Sequence, residues 1–168
     1  VDTFKKIIRI SNKYYNDGLE KAKVRDLTGA IDSLKMSLKY NKRNIHARNL
    51  LGLVYYETGE IVAALGEWVI SKNMRPNKNI VDAYIKAVQD NPQKLETTNQ
   101  SIKKFNLALT YCNQETYDLA VIQLKKVLST NPKLIKGRQL LALLYIRENQ
   151  YDKALKELKK AEESAATE

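Results

Sequence analysis

Apolar residues recur along most of the chain at the three- and four-residue spacing of an α-helix, with charged residues between them. This spacing is typical of helices that bury one face and expose the other. One such segment starts after Asn79, a candidate helix cap, and its apolar residues are Ile80, Val81, Tyr84, Ile85 and Val88. The pattern predicts nine helices, with bounds near residues 3–23, 27–40, 44–58, 60–74, 79–90, 92–113, 116–129, 133–148 and 150–163.

An alanine returns every 34 residues in each half of the chain, first as Ala30 and Ala64 and later as Ala120 and Ala154. Other positions come into register when the four segments are aligned on it. A small residue precedes the alanine, and these residues are Gly18, Gly52, Ala108 and Ala142. A large apolar residue follows it at Leu34, Trp68, Leu124 and Leu158. A fixed period of this length indicates a stack of equal helical units.

The aligned positions predict how each unit packs. Two helices of a hairpin approach closely only where side chains are small, so we expect the second unit to cross at Gly52 and Ala64, beside Trp68. Gly59 and Asn149 lie where a helix ends through a left-handed residue. The residues expected to begin the second helices are Asp26, Glu60, Thr116 and Asp152.

This combination of small residue, tyrosine, alanine, large apolar residue and proline over 34 residues resembles the tetratricopeptide repeat. The resemblance implies an all-α fold, a right-handed α-solenoid of helix hairpins. We expect a single domain over residues 1–168, with repeats at 11–44, 45–78, 101–134 and 135–168. An N-terminal helix extension covers residues 1–10. Repeat one departs from the pattern at Asp17, Lys21 and Lys42, which we interpret as the mark of a terminal, solvent-facing unit.

Residues 79–100 lie outside the 34-residue period and predict one inserted helix plus an extension of the next. Two interpretations stay open. The insertion packs as an additional helix that spaces two pairs of repeats, or it reaches over the concave face and narrows a binding groove.

Recognition on a concave wall is the function that the resemblance implies. The wall is formed by fixed columns of each first helix, and in this chain the predicted groove residues are Tyr15, Leu19, Asn49, Leu53, Tyr56, Phe105, Asn106, Leu109, Gln139 and Leu143. Family members that hold acidic chaperone tails use Lys, Arg and Asn donors, but four of the five matching positions here lack such a donor. We therefore expect a noncatalytic scaffold that binds an apolar helix or peptide of a partner protein.

A basic bias provides a competing hypothesis. The net charge is +10, and residues 1–50 carry 12 Lys and Arg against 5 Asp and Glu. Lys39, Lys42, Arg43 and Arg48 form a candidate basic patch for nucleic-acid phosphates. A solvated outer face explains the same charges, and the aromatic residues fall in core columns, so the scaffold is favoured. A third hypothesis is a homodimer formed by stacking of end repeats.

Residues for catalysis are missing from the sequence. The chain has one cysteine, Cys112, and one histidine, His46, and its six glycines do not cluster. We therefore predict no enzyme activity, no cofactor and no metal. No apolar run is long enough to span a bilayer. We expect a cytoplasmic protein, and a membrane tether outside this segment stays open.

Overall fold

The structure, a computed structural model, describes residues 1–166. Over this range the chain is helical and contains no strand, so the predicted all-α fold with one inserted helix is confirmed. Every helix bound lies within three residues of its predicted position. The helices are α1 Asp2–Lys23, α2 Leu27–Tyr40, α3 Ile45–Glu57, α4 Ile61–Met74, α5 Val81–Gln89, α6 Pro92–Asn113, α7 Tyr117–Thr130, α8 Ile135–Arg147 and α9 Tyr151–Ala166.

The helices group into two compact units, residues 1–91 and 92–168. In the first unit, α1 pairs with α2 and α3 with α4, α3 packs on α2, and α5 packs on α4. In the second, α6 pairs with α7 and α8 with α9, and α8 packs on α7. The two units share a plan, because α6, α7, α8 and α9 each begin 90 residues after α1, α2, α3 and α4.

The hairpin crossings lie where the small residues predicted them. A Cβ added to Gly52 would meet the Trp68 indole Nε1 at 2.1 Å, and one added to Gly18 would meet Leu34 Cγ at 2.8 Å. Ala30, Ala64, Ala120 and Ala154 are all buried. One large residue differs from the prediction, because Leu158 is 43% exposed while its three counterparts are buried. No helix follows α9 within residues 1–166 to cover Leu158.

The turns inside the hairpins share one geometry. Gly59 and Asn149 have the predicted positive φ, and Arg25 and Glu115 adopt it at the same repeat position. The next backbone N–H then bonds back across the helix end, as from Glu60 to the Tyr55 carbonyl at 2.8 Å. This is the Schellman pattern of helix termination.

The predicted starts of the second helices are partly corrected. Asp26 accepts a hydrogen bond from the Gly29 N–H and caps α2. Glu60 and Thr116 occupy the cap position without a side-chain capping bond. Asp152 lies one residue inside α9, where its carboxylate offsets the exposed amides of the first turn.

Replacing Glu115 with glycine is expected to raise the free energy of unfolding by about 1 kcal/mol, because a side chain is strained at its φ of 60°. Gly59→Ala, at the equivalent turn, should lower it by a similar amount. Urea denaturation of both variants measures the effect. Equal midpoints for the two variants and the parent would contradict the strain argument.

Candidate functional site

The first-helix wall of the first unit is only partly exposed. The Tyr15 ring on α1 lies near the His46 ring on α3, with centroids 6.2 Å apart. Leu19 and Leu53, which hold the same repeat position, are half-buried. This wall therefore offers a modest apolar surface between α1 and α3.

Asn49 was predicted to face the groove, but its groups are engaged inside the first unit. Its amide donates to Asn79 Oδ1 at 3.1 Å, its Oδ1 accepts from the Ser71 hydroxyl, and its backbone carbonyl accepts from Trp68 Nε1 at 3.3 Å. These bonds join α3, α4 and Asn79, which lies two residues before α5. Asn49 thus stabilises the packing of three helices.

The inserted helix α5 packs on α4 through aromatic rings. The Tyr84 ring centroid lies 5.2 Å from that of Trp68, and Tyr56 lies 6.2 Å from Trp68 on the other side. Tyr56 is therefore only half-exposed, although it was predicted to line the groove. These contacts support the interpretation in which the insertion packs as an additional helix.

A similar pair of polar residues lies where α3 packs on α2 and where α5 packs on α4. At the first, Asn44 donates to the Ser37 hydroxyl at 3.3 Å. At the second, Asn79 donates to the Ser71 hydroxyl at 3.0 Å. Ser37 and Ser71 are 34 residues apart and hold the same repeat position. Asn79 lies 35 residues after Asn44, and the cap position of α5 is Ile80 instead of the predicted Asn79. The insertion therefore begins in a similar way to the first helix of a further repeat, shifted by one residue.

The wall of the second unit exposes more apolar surface. Leu109 on α6 is 39% exposed and Leu143 on α8 is 61% exposed, and both hold the repeat position of Leu19 and Leu53. Asn106 and Gln139, one helical turn before them, are exposed polar residues. Phe105 differs, because it packs against the buried core cluster. Exposed apolar side chains with polar neighbours are thus present on α6 and on α8.

Cys112 lies on the same helix as Leu109 and packs against that core cluster. Burial raises the pKa of its thiol above the ordinary value. A raised pKa lowers the fraction of reactive thiolate at neutral pH. The environment of Cys112 is that of a structural thiol.

The basic patch needs one correction. Lys39, Lys42 and Arg43 are exposed as expected, but Arg48 is buried. Arg48 Nη1 lies 2.7 Å from Glu67 Oε2, and Nη2 donates to the Lys42 carbonyl at 2.8 Å. The expectation of an exposed Arg48 is wrong. The nucleic-acid hypothesis stays a prediction that rests on three cations.

Sequence reasoning missed that this ion pair is a repeated element. Arg138 and Glu157 lie 90 residues after Arg48 and Glu67, and their closest N–O distance is also 2.7 Å. Aligning the second and fourth repeats would have found it, because an Arg and a Glu lie 19 residues apart in both. The matching position of Glu67 in repeat one is Ser33.

Repeat one builds a different polar cluster there. Ser33 donates to Asp17, and Lys21 Nζ lies 2.9 Å from Asp17 Oδ2. The Ser33 hydrogen bond and the Lys21 ammonium lower the pKa of Asp17. The two α1 residues that depart from the repeat pattern, Asp17 and Lys21, therefore form an ion pair with each other.

The part of the chain that the structure describes contains neither a candidate metal site nor a helix that could span a membrane. Residues 1–166 bring together no group of three or more His, Cys, Asp or Glu side chains suited to a metal ion. Among the described helices, none combines the length and apolar character needed to cross a bilayer.

Comparison with known families confirms the predicted repeat for one segment of the chain. The tetratricopeptide repeat model matches residues 135–168, the segment that contains α8 and α9. The sequence matches no curated protein.

Among solved structures, the chain is similar to MamA. One crystal structure of MamA is 24% identical, covers 88% of this chain and 93% of its own, and has a TM-score of 0.38. MamA from Desulfovibrio magneticus RS-1, from residue 41 to the end, is 16% identical, covers 92% and 94%, and has a TM-score of 0.44.

Proposed function

We propose that this protein is a noncatalytic interaction scaffold that binds an amphipathic helix or apolar peptide of a partner protein. The observation that carries the proposal is the pair of exposed leucines, Leu109 and Leu143, on the first helices of the second unit. Exposed leucines at matching positions of two successive first helices offer apolar area that a partner can remove from water on binding.

The neighbouring residues favour a peptide over a small molecule. Asn106 and Gln139 are exposed one turn from the leucines and offer amide donors and acceptors to a partner's backbone. Ile146, one turn beyond Leu143, is 41% exposed and lengthens the apolar strip. A strip of this kind fits apolar anchors spaced along one face of a helix.

Of the two units, the second offers the stronger candidate site. In the first unit Leu19 and Leu53 are half-buried, and Asn49 is engaged in hydrogen bonds with neighbouring helices. Residues that lose more exposed apolar area on binding contribute more. We therefore place the main anchor site at Leu109 and Leu143, and a secondary site at Tyr15, Leu53 and Tyr56.

The test uses a helical peptide selected from a displayed library against the intact chain. Changing Leu109 and Leu143 to asparagine together should weaken binding of that peptide by about tenfold or more. The melting temperature should stay close to that of the parent, because both side chains are exposed. Fluorescence polarisation measures the affinity.

The matched control changes Leu119 and Ile122 on α7 to asparagine. They are 45% and 48% exposed, similar to Leu109, but lie on a second helix. This variant should bind the peptide as the parent does. Unchanged binding by the Leu109 and Leu143 variant, or an equal loss in the control, would contradict the proposed site.

A further inference from the structure

Three apolar repeat positions are buried or half-buried where another helix follows and are exposed in the fourth repeat. At the first position, Leu27 and Ile61 are buried and Tyr117 is half-buried, but Tyr151 is 61% exposed. At the second, Ile31 is buried and Leu65 and Val121 are half-buried, but Leu155 is 53% exposed. At the third, all counterparts of Leu158 are buried and Leu158 is 43% exposed. We name Tyr151, Leu155 and Leu158 the α9 face.

The first unit shows what covers the equivalent face of α4. The cover is the short helix α5, whose Tyr84 ring contacts Trp68, the counterpart of Leu158. A salt bridge between Lys72 and Asp82 holds the second residue of α5 to α4. The apolar residues of α5 follow the helical spacing i, i+3, i+4 and i+7, and they are Val81, Tyr84, Ile85 and Val88.

The charge at the salt-bridge position is reversed in the second unit. Position 72 is lysine, but the residue 90 positions later is Glu162, which is exposed. A helix that covers the α9 face as α5 covers α4 therefore needs a cation where α5 has Asp82. Its apolar residues need the spacing of Val81, Tyr84 and Ile85.

The start of α1 meets both requirements. Phe4, Ile7 and Ile8 have the spacing of Val81, Tyr84 and Ile85, and Lys5 occupies the place of Asp82. Phe4 is 68% exposed, Ile7 is 36% exposed and Ile8 is half-buried, so this stretch of α1 presents apolar side chains to solvent. Ser11, further along α1, is fully buried and hydrogen-bonds with Ser37 on α2.

We propose that the start of α1 in one copy packs on the α9 face of a second copy. Phe4, Ile7 and Ile8 cover the α9 face, and Lys5 pairs with Glu162. The two surfaces differ, so the contact is head-to-tail and produces rings or open chains of copies. This inference concerns α1 and α9 and is independent of the peptide site on α6 and α8.

The experiment is a mixing test on the full chain by sedimentation velocity over a concentration series. One variant carries Tyr151→Ser and Leu155→Ser, and another carries Phe4→Ser and Ile7→Ser. The parent should assemble beyond a dimer, whereas each variant alone should weaken self-association by about tenfold or more. The 1:1 mixture should form a dimer and nothing larger, because only one pair of intact surfaces remains.

A charge swap tests the register of the contact. Lys5→Glu and Glu162→Lys should each weaken assembly, and combining both in one chain should restore it. Leu119→Ser with Ile122→Ser serves as the surface control and should assemble as the parent does. A parent that is monomeric throughout the series overturns the proposal. So does an α1 variant that still assembles, because the α9 faces would then contact each other.

Discussion

Replacing Arg48 with methionine is expected to lower the free energy of unfolding by about 3 to 5 kcal/mol. The side chains of Arg48 and Glu67 are only 10% and 21% exposed, and their charged groups lie 2.7 Å apart. Removing the guanidinium leaves the Glu67 carboxylate in a largely buried site without its partner, and the Lys42 carbonyl loses a donor. Thermal and urea denaturation measure the loss.

Two further variants separate the buried ion pair from a general effect of charge. Arg43→Met removes an exposed cation five residues away and should change stability by less than about 0.5 kcal/mol. Combining Arg48→Met with Glu67→Leu should recover most of the loss. Among the described residues Arg48 Nε has no hydrogen-bond partner, so the buried ion pair is incompletely hydrogen-bonded. Replacing both of its residues with apolar side chains should therefore cost little stability. A parent-like melt of Arg48→Met alone would contradict this account.

The burial of Arg48 also changes how the nucleic-acid hypothesis can be examined. A fourfold charge removal that includes Arg48 would destabilise the first unit, so a loss of binding by that variant would not identify a lost phosphate contact. Removing Lys39, Lys42 and Arg43 avoids this difficulty, because these side chains are exposed.

The second large effect is expected at the crossing of α3 and α4. Gly52→Ala should cost about 1 to 3 kcal/mol, because the added Cβ would lie 2.1 Å from Trp68 Nε1, closer than any real contact. The indole must move, and its hydrogen bond to the Asn49 carbonyl and its packing against Tyr84 are disturbed with it. Denaturation in urea measures the cost.

The third repeat indicates how to rescue this variant. There the same two positions are Ala108 and Leu124, both fully buried. Adding Trp68→Leu to Gly52→Ala should therefore cost less than the sum of the two single changes. Gly66→Ala is the control, since its Cβ would meet nothing within 4 Å and alanine favours the helix by up to about 1 kcal/mol. Additive costs in the double variant would indicate that the alanine and the indole do not clash.

The sequence by itself determined the helices and their crossings. Helix bounds follow from the period of apolar residues within a single segment, and crossings from small residues such as Gly52 and Ala64. Both signals are local, or repeat at a fixed interval, so they can be read before any contact is known. The left-handed turn at Gly59 belongs to the same group, because glycine reaches positive φ at little cost.

Only the tertiary structure decided which side chains at the aligned positions are exposed to solvent. Arg48 and Arg43 are alike as sequence, yet Arg48 is buried because Glu67, on another helix, lies opposite it. Leu124 and Leu158 hold one repeat position, but α8 packs on the helix that carries Leu124 and no helix within residues 1–166 covers Leu158. Exposure depends on what the neighbouring helices place against a residue, and a repeat pattern specifies the position of that residue without specifying its neighbours.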